Sequence, residues 1–508
     1  MNYVMFFTDE MRAENLGCYG HPIARTPNYD RLAAGGTLFE NHYVQNPVCV
    51  GSRCSLLTGW YPHVGGFRSL LNFLTPNDPN FLRYLKNAGY QVVLLGKNHV
   101  LDEDALADSV SLYDSCGGSR TEQGSLWKDT GNKNSRKGNH LFSGDYTMLF
   151  PPMEDSELEN MQDTKTVQRG IEFIQQWTED DPPFFLFISI NHPHAPYVCT
   201  RHYQEMYDPA DFRLRTATEG RQPSFVHWLR TYSGFEEMDE KVFQRCAAVY
   251  QGMISYCDDM LGRVLDTLEK CGLEDKTMVV ATSDHGDFAG DYGLVEKWPN
   301  CFYDDLAKTP LIIRGPGIQG GNRISQLVSQ IDIFPTILDY AKVQAGHDHF
   351  GHSLRQFLEG GAQSVHADGR RTAGSDESDA GEGGVPADIT GEPAVFCEGG
   401  YDLREPQCFE GTERDYSFLL REDCVYYPKM MIQQEHGECV CRGTMMRCKN
   451  YKLIVRSNGE NEFFDLSTDQ YEEQNLYEKE EWKALIQQME KEMLMWYIRT
   501  SDAVRPLR

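Results

Sequence analysis

No stretch of this chain is long and apolar enough to span a bilayer as a helix, which sets aside that class of membrane protein. Basic residues are scarce beside acidic ones: 48 Lys and Arg against 76 Asp and Glu, a formal net charge of −28. Nucleic-acid affinity comes from neutralising phosphates with Lys and Arg, so that partner class is excluded. An anionic substrate then has to be met by a local cationic pocket, since the field of the whole molecule repels it. Cysteine is present without a framework: 15 residues, an odd number, at irregular spacing. That argues against a disulfide-stapled secreted scaffold and for a reducing cytoplasm. The opening residues give the same expectation. Met1–Phe7 is too short for a signal core, lacks a basic flank and gives way at once to Thr8-Asp9-Glu10. Internal repeats are also missing.

What is there is a globular composition, 40% hydrophobic and 24% charged, on 508 residues, enough for two cores. The apolar runs Tyr3–Phe7, Gln91–Leu95, Phe184–Ile190, Met278–Thr282 and Pro310–Ile313 predict buried strands. Asn28–Ala34, Asn80–Ala88 and Thr164–Trp177 predict helices. In Val242–Leu268, apolar residues from Phe243 through Tyr250, Ile254 and Leu261 to Leu268 recur at three- and four-residue steps, the inner face of a core helix. Strands alternating with helices predict an α/β fold: a large, mostly parallel sheet sandwiched by helices. Residues 1–360 are assigned to this unit. Residues 361–393 are acidic and rich in Gly and Ser, with few large apolar groups, and are read as a flexible loop or linker. Residues 394–508 are read as a small C-terminal antiparallel α+β subdomain. Its short strands are Met445–Cys448, Tyr451–Arg456 and Glu462–Leu466, and Glu481–Tyr497 is its closing helix. Cys439, Cys441 and Cys448 lack a fourth ligand at a zinc spacing and are read as ordinary strand cysteines.

The residues with chemistry to offer fall where predicted strands end. Asp9 and Glu10 follow the first strand, and Asp284 and His285 follow Met278–Thr282. Carboxylates with one imidazole suit a hard or borderline divalent ion such as Ca²⁺, Mg²⁺ or Mn²⁺. Lys97 and His99 follow Gln91–Leu95, His194 follows Phe184–Ile190, and Lys297 lies twelve residues past His285. Cys49 lies four residues before Arg53. A helix opened by Ser52 would turn its positive end toward Cys49, and a thiol there beside a guanidinium is acidified. Taken singly, each is ordinary: a capping aspartate, a solvated lysine, a loop histidine, a buried thiol. Placed together beyond the carboxyl ends of successive strands, they predict one pocket.

These motifs resemble the sulfatase family of the alkaline-phosphatase superfamily over nearly the whole chain. Cys49–Gly59 is similar to the family's Cys-x-Pro-Ser-Arg signature with its Leu-Thr-Gly close. Gly89-Tyr90 followed by Gly96-Lys97-Asn98-His99 is similar to its second signature, and Thr282–Gly286 and Ile331–Leu338 to further recurrent stretches. The resemblance implies hydrolysis of sulfate monoesters by formylglycine, which a maturation enzyme makes from the signature cysteine, here Cys49. It implies one divalent metal ion, Ca²⁺ first and Mn²⁺ or Mg²⁺ next, held by residue 49, Asp9, Asp284 and His285, with Glu10 as a lesser ligand. It implies that Lys97, Lys297 and His194 bind the sulfate and that Arg53 holds the modified residue. His99 is the implied base of the hemiacetal step. His194, ahead of His192, is the implied acid toward the leaving alcohol. A hydroxyl of the aldehyde hydrate attacks sulfur in this reaction, and collapse to the aldehyde releases sulfate.

The chain departs from the pattern at Gly51, where the maturation motif usually carries Pro or Ala, and at Glu10, where many relatives have Asp or Gln. His285 stands where many sulfatases have Asn; an Asp-His pair also occurs in phosphonate monoester hydrolases and phosphodiesterases. Sulfate-ester hydrolysis is therefore the first expectation. Phosphonate monoester or phosphodiester hydrolysis on the same scaffold is the second, and a non-catalytic homologue with unmodified Cys49 the third. The expected partners are a small anionic substrate, a carbohydrate sulfate among the options, and the maturation enzyme. Tyr113–Met153 and Thr200–Glu237 are expected to wall the pocket.

Overall fold

The apolar runs form the middle of an eight-stranded sheet in the computed structural model, which describes residues 1–117, 146–216, 221–360, 389, 392–402, 422 and 424–503. Its strands are β1 (Asn2–Asp9), β2 (Thr37–Tyr43), β3 (Gln91–Gly96), β4 (Leu112–Asp114), β5 (Phe184–Pro193), β6 (Thr277–Ser283), β7 (Leu311–Arg314) and β8 (Asn322–Ser329). They lie in the order β4-β3-β5-β1-β6-β7-β2-β8. The pairs β3/β4, β3/β5, β1/β5, β1/β6 and β2/β8 are parallel, and β7 runs antiparallel to both β6 and β2.

Every residue of β1 and β6 is buried, because the sheet is covered on both faces. The alternation of the strand splits β1 between two cores. Val4 and Phe6 pack with the helices Pro27–Ala34, Gln162–Gln176 and Glu240–Lys270. Tyr3, Met5 and Phe7 pack with Cys49–Thr58, Phe81–Asn87 and Ile333–Ala341. The sequence missed β2 and β8 because both mix polar with apolar residues; β8 keeps its outer half partly exposed and has no continuous apolar run.

A second sheet of four antiparallel strands has the order β12-β11-β10-β9, with β9 (Ala394–Gly399), β10 (Gly443–Cys448), β11 (Tyr451–Arg456) and β12 (Glu462–Asp465). The helix Lys483–Thr500 lays Leu485, Ile486, Met489, Met493 and Trp496 on one face of it. The other face joins the main core: Val395, Cys397, Met445 and Ile454 cluster with Trp298, Phe302 and Tyr303. The Glu398 N–H on β9 donates to the Gln45 carbonyl just past β2, at 2.9 Å. The stretch read as a linker lies outside the described residues except for Ile389, Glu392 and Pro393. No described helix is long and apolar enough to cross a membrane, and no disulfide joins the described cysteines.

One local expectation is corrected. The signature helix begins at Cys49, not at Ser52. Val48 is its extended first cap, its N–H held by the Asn46 side-chain oxygen at 2.9 Å, and the Ser52 N–H already bonds back to the Val48 carbonyl at 3.0 Å. The Ser52 hydroxyl therefore does not cap; it donates inward to the Asp284 carbonyl at 2.6 Å.

Candidate active site

Parallel pairing of β1 with β6 sets Thr8 opposite Ser283, so Asp9 and Asp284 leave the sheet side by side. The signature helix points its first residue at them. Cys49 is fully buried; its thiol lies 3.6 Å from Asp9 Oδ1 as donor, and its Sγ lies 3.2 Å from His285 Nε2. One turn on, Arg53 faces the same way, as residues four apart on a helix do. Its Nη2 donates to Asp9 Oδ2 and its Nε to Asp284 Oδ2, both at 2.7 Å, and its Nη1 donates to Ser189 Oγ at 2.9 Å. Lys97, just beyond β3, brings Nζ to 2.7 Å from Asp9 Oδ2.

Burial alone would raise the Asp9 carboxyl, but Lys97 and Arg53 outweigh it and hold the group well below the usual carboxylate range. Burial drives the His285 imidazole down to about 4. Its Nδ1–H donates to the Gly286 carbonyl at 2.8 Å, which leaves the Nε2 lone pair facing Cys49. One ligand atom from each of Asp9, Cys49, Asp284 and His285 lies within 4.8 Å of all the others. Two carboxylates, an imidazole and a fourth donor, all buried, fit a divalent cation.

A second group adjoins the first through the consecutive pair Asp9-Glu10. The Glu10 carboxylate meets Lys297 Nζ, accepts from the Ala195 N–H at 3.3 Å and lies 3.3 Å from His194 Nε2. His194 Nε2 is 3.0 Å from Lys297 Nζ. Asp9, Glu10 and His194 form a second set with ligand atoms within 4.8 Å, so Glu10 faces the lysine and histidine side of the pocket. Of the two rival histidines, His194 faces Lys297, while His192 Nδ1 is bound to Asp163 at 2.6 Å. His99 is buried in the turn that carries Lys97, edge-on to Phe73 with ring centroids 6.4 Å apart. The expected pocket walls fall outside the described residues at 118–145 and 217–220.

A family profile described as Sulfatase matches residues 1–343. The chain belongs to the sulfatase family. This sulfatase is 30% identical over 357 residues to the uncharacterized sulfatase YidJ of Escherichia coli (strain K12), covering 68% of each chain. It is 27% identical to an N-acetylglucosamine-6-O-sulfatase of Bacteroides thetaiotaomicron, covering 73% of each. A multifunctional alkaline phosphatase superfamily protein of Trinickia caryophylli is 25% identical across 98% of this chain and 93% of its own. Among solved structures, the phosphonate monoester hydrolase of Agrobacterium radiobacter shares the fold with a TM-score of 0.72 at 19% identity, covering 98% of this chain and 96% of that one. The sulfatase is thus a hydrolase on an alkaline-phosphatase-like scaffold.

The geometry also accounts for Gly51 in this sulfatase. A Cβ there would lie 2.6 Å from Asn46 Cγ. Asn46 cannot simply move: its amide donates to the Glu398 carbonyl on β9 at 2.9 Å, and its Oδ1 accepts the Val48 N–H. The volume that another residue 51 would fill is taken by a side chain that ties the helix Cys49–Thr58 to the second sheet. Gly51→Ala is expected to cost about 1–2 kcal/mol in a denaturant melt, overpacking outweighing the gain in helix propensity. A more stable variant would show that Asn46 yields freely. Sequence reading missed Asn46 and Ser189 and read Ser52 as a cap, because their partners Glu398, Arg53 and Asp284 lie far along the chain. Gly51 was the signal that could have pointed to a bulky neighbour.

Proposed function

We propose that the chain hydrolyses sulfate monoesters with an oxygen nucleophile made from Cys49. The observation that carries this is the placement of a buried Cys49 at a helix start, within ligand distance of Asp9, Asp284 and His285, with Lys97 on the shared Asp9 carboxylate. Oxidation of Cys49 to formylglycine by a maturation enzyme, followed by addition of water to the aldehyde, would supply two geminal hydroxyls, one to attack sulfur and one to lose its proton as the aldehyde re-forms and sulfate leaves. A divalent ion held by Asp9, Asp284 and His285, Ca²⁺ before Mn²⁺ or Mg²⁺, supplies Lewis acidity that favours the ionised oxygen. Glu10 is its outlying ligand at most, since its carboxylate also serves Lys297 and the Ala195 N–H.

The chain's own residues do the rest. Arg53 fixes both Asp9 and Asp284 and so orients residue 49 against them. Lys97 and Lys297 offset the charge that spreads over the sulfate oxygens in the transition state. His194, poised on Lys297, protonates the leaving alcohol, and His99 is the base of the release step. A carbohydrate sulfate heads the substrate screen, supported by the N-acetylglucosamine-6-O-sulfatase and iduronate 2-sulfatase among the relatives. The unpatterned cysteines support a reducing compartment.

Phosphonate or phosphodiester hydrolysis is the second reading, favoured by the Asp284-His285 pair and by the near full-length match to a multifunctional superfamily relative. Turnover of an aryl sulfate and an aryl phosphonate, measured side by side in Ca²⁺ and in Mn²⁺, separates the two. The sulfate is expected to be the better substrate, and a large preference for the phosphonate overturns the first reading. Mass analysis of the tryptic peptide ending at Arg53 tests the third, non-catalytic reading: an aldehyde at residue 49 is expected, and a thiol throughout after expression with a maturation enzyme overturns the mechanism.

A further inference from the structure

The helix Tyr427–Glu435, which precedes β10, sends one lysine into the back of the pocket. Lys429 is 4% exposed. Its Nζ meets Glu296 Oε2 and donates to the Lys297 carbonyl at 2.7 Å. Glu296 gives its other oxygen, Oε1, to Lys297 Nζ at 2.8 Å. One carboxylate is therefore shared by two lysines from distant parts of the chain, and one of the two faces His194.

The arrangement matters because of the charge around Lys297. Its ammonium stands between two buried carboxylates, Glu10 and Glu296. Two full negative charges on one ammonium would compete with any sulfate oxygen for it. Lys429 engages Glu296 from behind, so one of the two carboxylates is shared and not left to Lys297 alone. Asp287 lies nearby, its Oδ1 taken by the Tyr197 hydroxyl at 2.6 Å and the Ala289 N–H at 2.6 Å. Burial pushes the Lys429 ammonium down to about 7 against the pull of Glu10 and Asp287, so its charge depends on the carboxylates that face it.

The backbone shows that this placement is held against a cost. Glu296 has φ of 61°, a left-handed conformation that is unfavourable for a residue with a Cβ. Its N–H donates to Tyr197 Oη at 2.9 Å and Asp287 Oδ1 at 3.1 Å, and its carbonyl accepts the Phe288 N–H at 2.9 Å. Such conformations persist where surroundings over-determine them, and they concentrate at functional sites. Here the strained residue is the one that aims Lys297.

We propose that Lys429 is a positioning residue for sulfate binding: by holding Glu296 and the Lys297 carbonyl, it keeps the Lys297 ammonium directed toward the sulfate group. This rests on the reading of Lys297 as a sulfate-binding residue. It makes the helix Tyr427–Glu435 part of the pocket's working electrostatics as well as of its packing.

The test uses the matured, metal-loaded full chain and inorganic sulfate as the probe. Lys429→Met is expected to raise KM for an aryl sulfate and the inhibition constant of sulfate about tenfold, with a smaller change in kcat. Adding Glu296→Gln removes the competing carboxylate and is expected to return both constants to within about threefold of the parent chain. A Lys429→Met variant with parental KM and sulfate inhibition, altered only in thermal midpoint, overturns the proposal by showing a purely structural ion pair. So does a double variant that recovers stability but not sulfate binding. Should Lys429→Met fail to fold, Glu296→Gln alone decides: tighter sulfate inhibition supports the proposal, and unchanged or weaker inhibition overturns it. Lys297→Ala separates the two levels. If it binds sulfate normally, the reading of the pocket falls and this inference with it; if it loses sulfate while Lys429→Met does not, only the role of Lys429 falls.

Discussion

Cys49→Ala is expected to lower aryl sulfate turnover by about 10⁴-fold or more, the scale of losing a covalent nucleophile, while the chain stays folded. The substitution removes one buried sulfur. Alanine is a better helix former than cysteine, by up to ~0.7 kcal/mol, which offsets part of the lost packing. The carboxylates beneath it keep their partners, since Asp9 retains Arg53 and Lys97, and Asp284 retains Arg53 and the N–H of His285. No neighbour is expected to replace the lost atom as nucleophile: Asp9 is held by two cations, and the His285 Nε2 lone pair is the one that the proposed metal ion takes. Cys49→Ser is expected to differ in kind. A hydroxyl restores an attacking oxygen but no second hydroxyl, so an ester once formed stays on the protein. Initial rates with a thermal melt check the first variant, and intact mass after exposure to the ester checks the second. A Cys49→Ala chain with parental rates would remove residue 49 from the chemistry.

Much of this site was legible because strand ends are places where sequence and position coincide. Tyr3–Phe7 and Met278–Thr282 are buried on both faces and so stand out as apolar runs, and the polar residues after them mark the strand ends directly. Asp9, Lys97 and Asp284 could be located on that ground alone. The signature helix was placed three residues late, because a serine before an apolar run looks like a cap, whereas the chain uses Asn46 and Val48 to start the turn. The partnership of Glu296 with Lys429 spans 133 positions and leaves no local pattern. The same is true of Glu10: its type was legible, but the direction of its side chain is decided by Lys297 and by the Ala195 N–H. Periodicity reports which face of an element is buried and does not report which polar groups meet there.

Lys97→Ala is expected to cut kcat/KM by about 10²–10³-fold, the loss seen when one fixed donor to a developing oxyanion is removed. The turn that presents this lysine is tightly specified. β3 ends on Gly96 at φ of 84°, where a Cβ would meet the Ser189 carbonyl at 2.2 Å. The Lys97 N–H then donates to that same carbonyl at 2.9 Å, so the backbone is fixed before the side chain turns inward. Its Nζ shares Asp9 Oδ2 with Arg53, and this overlap decides how the variant fails. Arg53 still pairs with Asp9, so the fold loses little and the melting point is expected to fall by only about 1 °C, the response to ~1 kcal/mol in a chain of this size. Arg53 cannot take over the role proposed for Lys97 toward substrate, because Arg53 is spent on Asp9, Asp284 and Ser189. Lys97→Arg is accordingly expected to rescue poorly: a planar guanidinium on the same stem pairs with Asp9 in place of reaching past it. Full activity in Lys97→Ala with an unchanged pH profile would leave sulfate bound by Lys297 alone and would move the reacting centre away from Asp9.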